Sequence, residues 1–272
     1  MSKIEKMYRY YKKPFIYNYI PIIKITDKCN KNCKHCGYDC SYDNNNYITL
    51  DILNKNINIL KQQNMNYIQL MGGELYLHPE YEQIINICCN NFKLIRLVTN
   101  GEWINDDLNF LNVLINHKDK LFTSISATMY HNNNNVNKIN SVMSKNKLYY
   151  AFIPKISRQN IFPIGRAKKT NVGNFDHPGC TIDNVKQTFL IDENGHFYKC
   201  MFGLWKFLEY DDKIETFKNN FDSISSTLKI FLRGRNCIEC QLLYKKYLKF
   251  INKENLYYNN YNIFLAERKH NE

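Results

Sequence analysis

Residues 20–36 read IPIIKITDKCNKNCKHC. The first seven are mostly β-branched, four isoleucines and a threonine, the composition of a strand packed inside a sheet. Cys29, Cys33 and Cys36 follow at once, with three and then two residues between them. The stretch therefore reads as a strand, 20–26, that delivers a cysteine loop at its C-terminal end. Three thiolates this close can hold three corners of a cubane iron–sulfur cluster. Such clusters normally take four cysteines, so a three-cysteine loop leaves one iron open to an outside ligand. Two other readings stay open. A zinc knuckle would need a fourth ligand, and no partner pair stands at finger spacing; Cys40 could instead complete a four-cysteine cluster.

Working outward, residues 49–63 place Leu50, Ile52, Leu53, Ile57 and Leu60 at helical spacing, with Thr49 as the cap. A short apolar run at 67–71 ends in Gly72-Gly73-Glu74, and Pro79 opens a second helix, 79–91. A third strand at 94–98 ends in Thr99-Asn100-Gly101. A helix at 106–117 and a fourth strand at 121–128 (LFTSISAT) follow. After His131 the pattern thins to a polyasparagine loop at 132–135, a fifth strand at 148–153, and the segment 161–169. Strands alternating with helices argue for parallel βα units. Chemistry in such barrels sits at the C-terminal ends of the strands, and there the cysteines, Gly-Gly-Glu and Thr-Asn-Gly all fall.

A second cysteine set begins beyond residue 170. Cys180 and Cys200 flank Asp192-Glu193-Asn194-Gly195, which reads as a hairpin turn between 187–191 and 196–199. With Cys237 and Cys240 they supply four thiolates, enough for a second cluster or a structural zinc. Cys88 and Cys89 lie in the helical stretch and read as ordinary buried thiols. The 272 residues suffice for one sizeable core plus a small appendage. The formal charge of +12 is spread over scattered lysines in a chain also rich in Asn, Ile and Tyr, so a nucleic-acid partner is not expected. The first residues lack the apolar core of a secretory signal, and no run reaches the ~18 apolar residues a membrane span needs. A cytoplasmic protein without a membrane partner is the expectation.

On these motifs the chain resembles the radical S-adenosylmethionine (SAM) superfamily. The Cys29/Cys33/Cys36 spacing, Gly72-Gly73-Glu74 followed by His78-Pro79, and Gly165-Arg166-Ala167 carry the likeness. The resemblance implies an α/β fold, a partial (β/α)6 TIM-like barrel. Fewer than forty residues separate strand four from Gly165, so it should be abbreviated near strands five and six. It implies a [4Fe-4S] cluster on Cys29, Cys33 and Cys36, whose open iron takes the amino and carboxylate groups of SAM. Reductive cleavage of SAM then gives a 5′-deoxyadenosyl radical that abstracts hydrogen from a substrate C–H. Gly72, Gly73 and Glu74 would meet the methionine ammonium, His35 the adenine, and Asn100 and Ser126 the rest of SAM. Arg166 is a weak candidate for a substrate contact.

The C-terminal cysteines resemble the auxiliary-cluster extension called SPASM, in its short form called twitch. That resemblance implies a radical SAM core at 1–169 and an auxiliary domain of β-hairpin plus helix at 170–272. Cys180, Cys200, Cys237 and Cys240 would hold a second cluster, of [4Fe-4S] type, with zinc as the alternative. One-auxiliary-cluster relatives suggest an oxidoreductase that dehydrogenates a small, sugar-like substrate, the second cluster taking the electron. Flavodoxin or ferredoxin would be the electron donor. The alternative is a maturase that crosslinks or epimerises a ribosomally made peptide. The nineteen residues before strand one leave no room for a leader-binding domain, which tilts the expectation toward the small molecule. A non-catalytic iron–sulfur sensor is the remote rival, disfavoured because a sensor needs no SAM ammonium site.

Overall fold

The structure is a computed structural model, describing residues 20–62, 65–127, 131, 135–153, 166–170 and 188–198. Its strands are β1 (Ile20–Lys24), β2 (Tyr67–Met71), β3 (Leu94–Thr99), β4 (Leu121–Ser126), β5 (Tyr150–Ile153), β6 (Thr188–Ile191) and β7 (Phe197–Tyr198). Its helices are α1 (Leu50–Gln62), α2 (Tyr81–Asn91), α3 (Trp103–Asp106), α4 (Leu108–Asn116), α5 (Val136–Lys145) and α6 (Arg166–Lys169). The strands form one sheet in the order β5-β4-β3-β2-β1-β6-β7. Every pairing is parallel except the β6–β7 hairpin. Six parallel strands with helices on one side make the expected α/β partial barrel.

Period-two alternation explains how the sheet is covered. Ile23, Ile68, Leu70, Ile95, Leu97 and Ile125 share one core with Leu53, Ile57 and Leu60 of α1, Ile84 and Ile85 of α2, and Phe110 and Val113 of α4. The opposite face of β1 carries Ile22, which packs with Leu190, Tyr38 and Met71 in a second, smaller cluster. Cys88 and Cys89 are buried in the main core, as expected of structural thiols.

Two elements differ from the sequence reading. The helix expected at 106–117 forms as α4, and a short unexpected helix, α3, precedes it, the two separated at Asp107. That residue is extended (φ −147°, ψ 93°), and its carboxylate caps α4 by accepting from the Asn109 N–H. Helix α5 was not expected; its apolar stripe is Val136, Ile139, Val142 and Met143, of which Ile139 and Met143 are fully buried.

The hairpin at Asp192–Gly195 forms where expected, with Gly195 at φ 80°. Its first strand, β6, does not stand apart: it pairs with β1 from Ile20↔Thr188 to Ile23↔Ile191. The sheet thus continues across the expected boundary at 169/170. A buried ion pair reinforces the join, Lys24 Nζ to Glu193 Oε2 at 2.7 Å.

Candidate active site at the strand ends

The cysteine loop is tied at its base. Beyond β1, Thr26 Oγ1 donates to Asn46 O at 2.9 Å, and the Asp27 carboxylate accepts from the Asn46 backbone N–H (3.0 Å) and side-chain amide (2.6 Å). Ile48 N–H donates to Ile25 O at 2.8 Å as the chain returns. The end of β2 is pressed against this base. A Cβ on Gly72 would lie 2.3 Å from Thr26 O, and one on Gly73 would lie 2.0 Å from Lys28 O. The space a side chain would need is filled by loop backbone, so both glycines serve close approach. That approach makes two hydrogen bonds, Gly73 N–H to Thr26 O and Glu74 N–H to Lys28 O, each 2.8 Å.

Glu74 is thereby carried to the centre of the site and is completely buried. Its Oε1 accepts from the Thr99 hydroxyl at 2.6 Å and its Oε2 from Asn100 N–H at 2.7 Å. One carboxylate thus joins the ends of β2 and β3. Burial dominates its electrostatics and pushes its pKa up to about 7, against the pull of those two donors. His78 holds the same segment from the other side. Its Nδ1 accepts from Glu80 N–H (3.0 Å), which leaves the proton on Nε2 to bond Ile48 O (2.9 Å).

The loop is also clamped from α6. Arg166 N–H donates to Cys36 O (2.9 Å), Nη2 to Cys40 O (2.6 Å) and Nη1 to Cys33 O (3.3 Å), while Nε pairs with Asp39 at 3.1 Å. Thr170 Oγ1 donates to Lys34 O at 2.6 Å. The guanidinium that the sequence offered as a substrate contact here spends its donors on the loop, as a positioning residue. Lys31 makes a further anchor, pairing with Glu102 (2.6 Å) and donating to His131 O (2.8 Å). Asn30 reaches Asp106 at 2.9 Å and bonds Tyr76.

Cys29, Cys33 and Cys36 are free thiols, each partly exposed. Burial first, and neighbouring acidic groups next, push Cys29 up to about 12; burial and Cys36 raise Cys33 to about 11. Cys36 moves the other way, to about 6, chiefly through a hydrogen bond from the buried Cys40 thiol. The three are near enough for their charges to interact. Among the described residues, however, no three His, Cys, Asp or Glu side chains converge on a point that would hold one metal ion. The donors of the loop are the soft thiolates that iron–sulfur clusters take.

Of the other expected residues, His35 packs edge-on against the His131 ring, with centroids 4.6 Å apart. Ser126 ends β4, half-buried and paired with Ile153. Asn100 is buried immediately after β3. Cys180, Cys200, Cys237 and Cys240 lie outside the described residues. Sequence reasoning missed Asp27, Asn30, Lys31, Thr99 as a Glu74 partner, and His131. Their partners lie up to a hundred residues away, so no local spacing marks them.

The sequence model of the radical SAM superfamily matches residues 23–162, about half of the chain and the whole of this site's β1-to-β5 frame. The chain belongs to the radical SAM superfamily. Among curated relatives, it is 26% identical over 103 residues to the antilisterial bacteriocin subtilosin biosynthesis protein AlbA of Bacillus subtilis. That match takes in 38% of this chain and 22% of AlbA. A GTP 3′,8-cyclase of Shewanella denitrificans is 29% identical over 119 residues, 39% of this chain and 35% of the cyclase. The chain thus spans well under half the length of both. Among solved structures, BtrN in complex with AdoMet and 2-DOIA aligns at a TM-score of 0.51 and 14% identity, over 81% of this chain and 91% of BtrN. The structure of anSMEcpe with AdoMet and the Kp18Cys peptide aligns at 0.52 and 15%, over 79% and 80%. At these identities the likeness is one of fold. Membership in the superfamily implies a [4Fe-4S] cluster and SAM.

Proposed function

We propose that this radical SAM enzyme oxidises a small, sugar-like substrate at a C–H bond. The observation that carries the site assignment is the docking of Gly72–Glu74 onto the cysteine loop, which sets a buried carboxylate beside the residue that would hold one corner of the cluster. Cys29, Cys33 and Cys36 would hold the [4Fe-4S] cluster; Glu74, Gly72, Gly73, His35, Asn100 and Ser126 surround the place for SAM. When bound and reduced, the cluster and SAM together supply one-electron cleavage and hydrogen abstraction.

The protein's own part is positional. Arg166 and Lys31 hold the loop that carries the thiols, and His78 holds the Gly-Gly-Glu segment against it. Burial raises the Glu74 carboxyl to about 7, so near neutral pH its protonated and ionised forms are both populated. A methionine ammonium placed there would favour its ionised form and make a charge-assisted contact. In this reading Cys180, Cys200, Cys237 and Cys240 hold an auxiliary iron–sulfur cluster that takes the substrate's electron, and flavodoxin or ferredoxin feeds the first cluster. The near-complete mutual coverage with BtrN, solved with 2-DOIA, supports a compact polar substrate.

A second reading, modification of a ribosomally made peptide, draws on the sequence match to AlbA and on the peptide bound to anSMEcpe. Reconstituted protein given dithionite and SAM should release 5′-deoxyadenosine; intact clusters without that product would overturn the enzyme reading. About eight irons per chain would support two cubanes, and about four irons with zinc would remove the auxiliary cluster. Deuterium transfer from a labelled sugar-like substrate, rather than from a labelled peptide, into 5′-deoxyadenosine would separate the two substrate classes.

A further inference from the structure

We infer that Asn100 is a positioning residue for the cluster: its side-chain amide, aimed at Cys29 Sγ by its neighbours, sets the reduction potential of the site. This rests on the radical SAM assignment and extends it to a residue whose expected role was contact with SAM.

The orientation of the amide follows from its neighbours. The backbone N–H of Glu102 can only donate, and it meets Asn100 Oδ1 at 2.9 Å. The Asp106 carboxylate accepts from Asn30 Nδ2 at 2.9 Å. That leaves Asn30 Oδ1 to accept from Asn100 Nδ2 at 2.8 Å. Both amides are thus fixed from independent ends, so the choice between oxygen and nitrogen at each position is not arbitrary. The same Asn100 Nδ2 reaches Cys29 Sγ at 3.9 Å, the long end of an N–H···S contact. The Lys31 backbone N–H is the second donor to that sulfur, at 3.5 Å. The Asn100 backbone is held too, its N–H on Glu74 Oε2 at 2.7 Å.

Hydrogen bonds to cysteine sulfur are one of the levers by which a protein sets a cluster's potential. A donor stabilises the additional negative charge of the reduced cluster, so its loss makes reduction harder. Asn100 works against Glu74, whose buried carboxylate disfavours negative charge on the same sulfur. It links the electron-accepting corner of the site to the Asn30–Tyr76–Asp106 network on α3.

The test is a redox titration of the reconstituted full-length protein, followed by the EPR signal that changes on adding SAM. N100D keeps an oxygen for Glu102 N–H and replaces the donor with a second oxygen; N100A removes both. At a solution potential equal to the wild-type midpoint, the reduced fraction should fall severalfold in N100D, with iron content unchanged. N100A should move the same way. The paired substitution E74Q should move the midpoint upward, which a merely structural role for this corner would not produce. Wild-type midpoints in N100D and N100A, at full cluster occupancy, would overturn the inference. A wild-type protein that takes up no reducible cluster would overturn it together with the assignment beneath it.

Discussion

Gly73 shows how little room the site leaves for change. A methyl group there must displace the Lys28 carbonyl, and Lys28 immediately precedes Cys29. Overpacking of this kind costs about 1–3 kcal/mol. G73A should therefore melt lower and lose iron in reconstitution, measurable by thermal denaturation and by iron content. Glu74 makes a different prediction. Its folded-state pKa of about 7 lies above its ordinary value of 4.5. The folded protein therefore binds the extra proton between those values, and stability falls as pH rises from 4.5 through 7. In E74Q the amide can still accept from Asn100 N–H and donate to Thr99 Oγ1. The cluster-free variant should match or exceed the wild type in urea at pH 8, while equilibrium dialysis shows weakened SAM binding. Loss of stability in E74Q at pH 8 would mean that burial does not raise the pKa of this carboxyl in the folded state.

Among the elements, β6 holds its place through one buried ion pair as well as its ladder. Removing Lys24 alone strands Glu193 without its partner, and broken buried pairs cost about 3–5 kcal/mol. K24A should lower the urea midpoint accordingly, whereas the double substitution K24M/E193L should recover most of it. Equal losses in the single and double variants would show that the pair is not coupled. This contact also marks where the sequence stops being legible. Strands β1 to β5 were readable as short apolar runs, and in β2 and β3 a period-two row, Ile68, Leu70, Ile95 and Leu97, announces the buried face locally. The three cysteines and Gly-Gly-Glu were readable because their spacing is their chemistry. The parallel pairing of β6 with β1 depends on two runs far apart in the chain finding each other, which no local pattern encodes. Helix α5 was missed for the opposite reason: its local signal is four apolar residues in one short helix beside a run of asparagines. The roles of Arg166 and Asn30 came only with the contacts, since a charged or amide side chain does not declare its partner.

For the molecule as a whole, the histidines set the acid limit of stability. His35, His78, His117 and His131 all have pKa values lowered chiefly by burial, His131 to about 4. Each is neutral when folded, while in the unfolded chain it charges near pH 6.5. The unfolded state therefore binds more protons below that pH, and stability declines as pH falls from about 6.5 toward the folded values. Glu74 opposes this between pH 7 and 4.5 and offsets His131, so the decline rests on His35, His78 and His117. Urea midpoints of the cluster-free protein should drop between pH 7 and pH 5, and H78Q should flatten that drop by removing one of these three. The pairing of β1 with β6 has a consequence for synthesis. Strand β1 leaves the ribosome roughly 170 residues before its partner, a wait of about 10–30 s at ordinary elongation rates. Until then one flank of β1 is an open edge beside the thiols. Lys24 stands there as a charge that has not yet met Glu193. An unpaired lysine discourages stray strand pairing, so β1 is guarded during the interval in which the nascent chain is most exposed to aggregation.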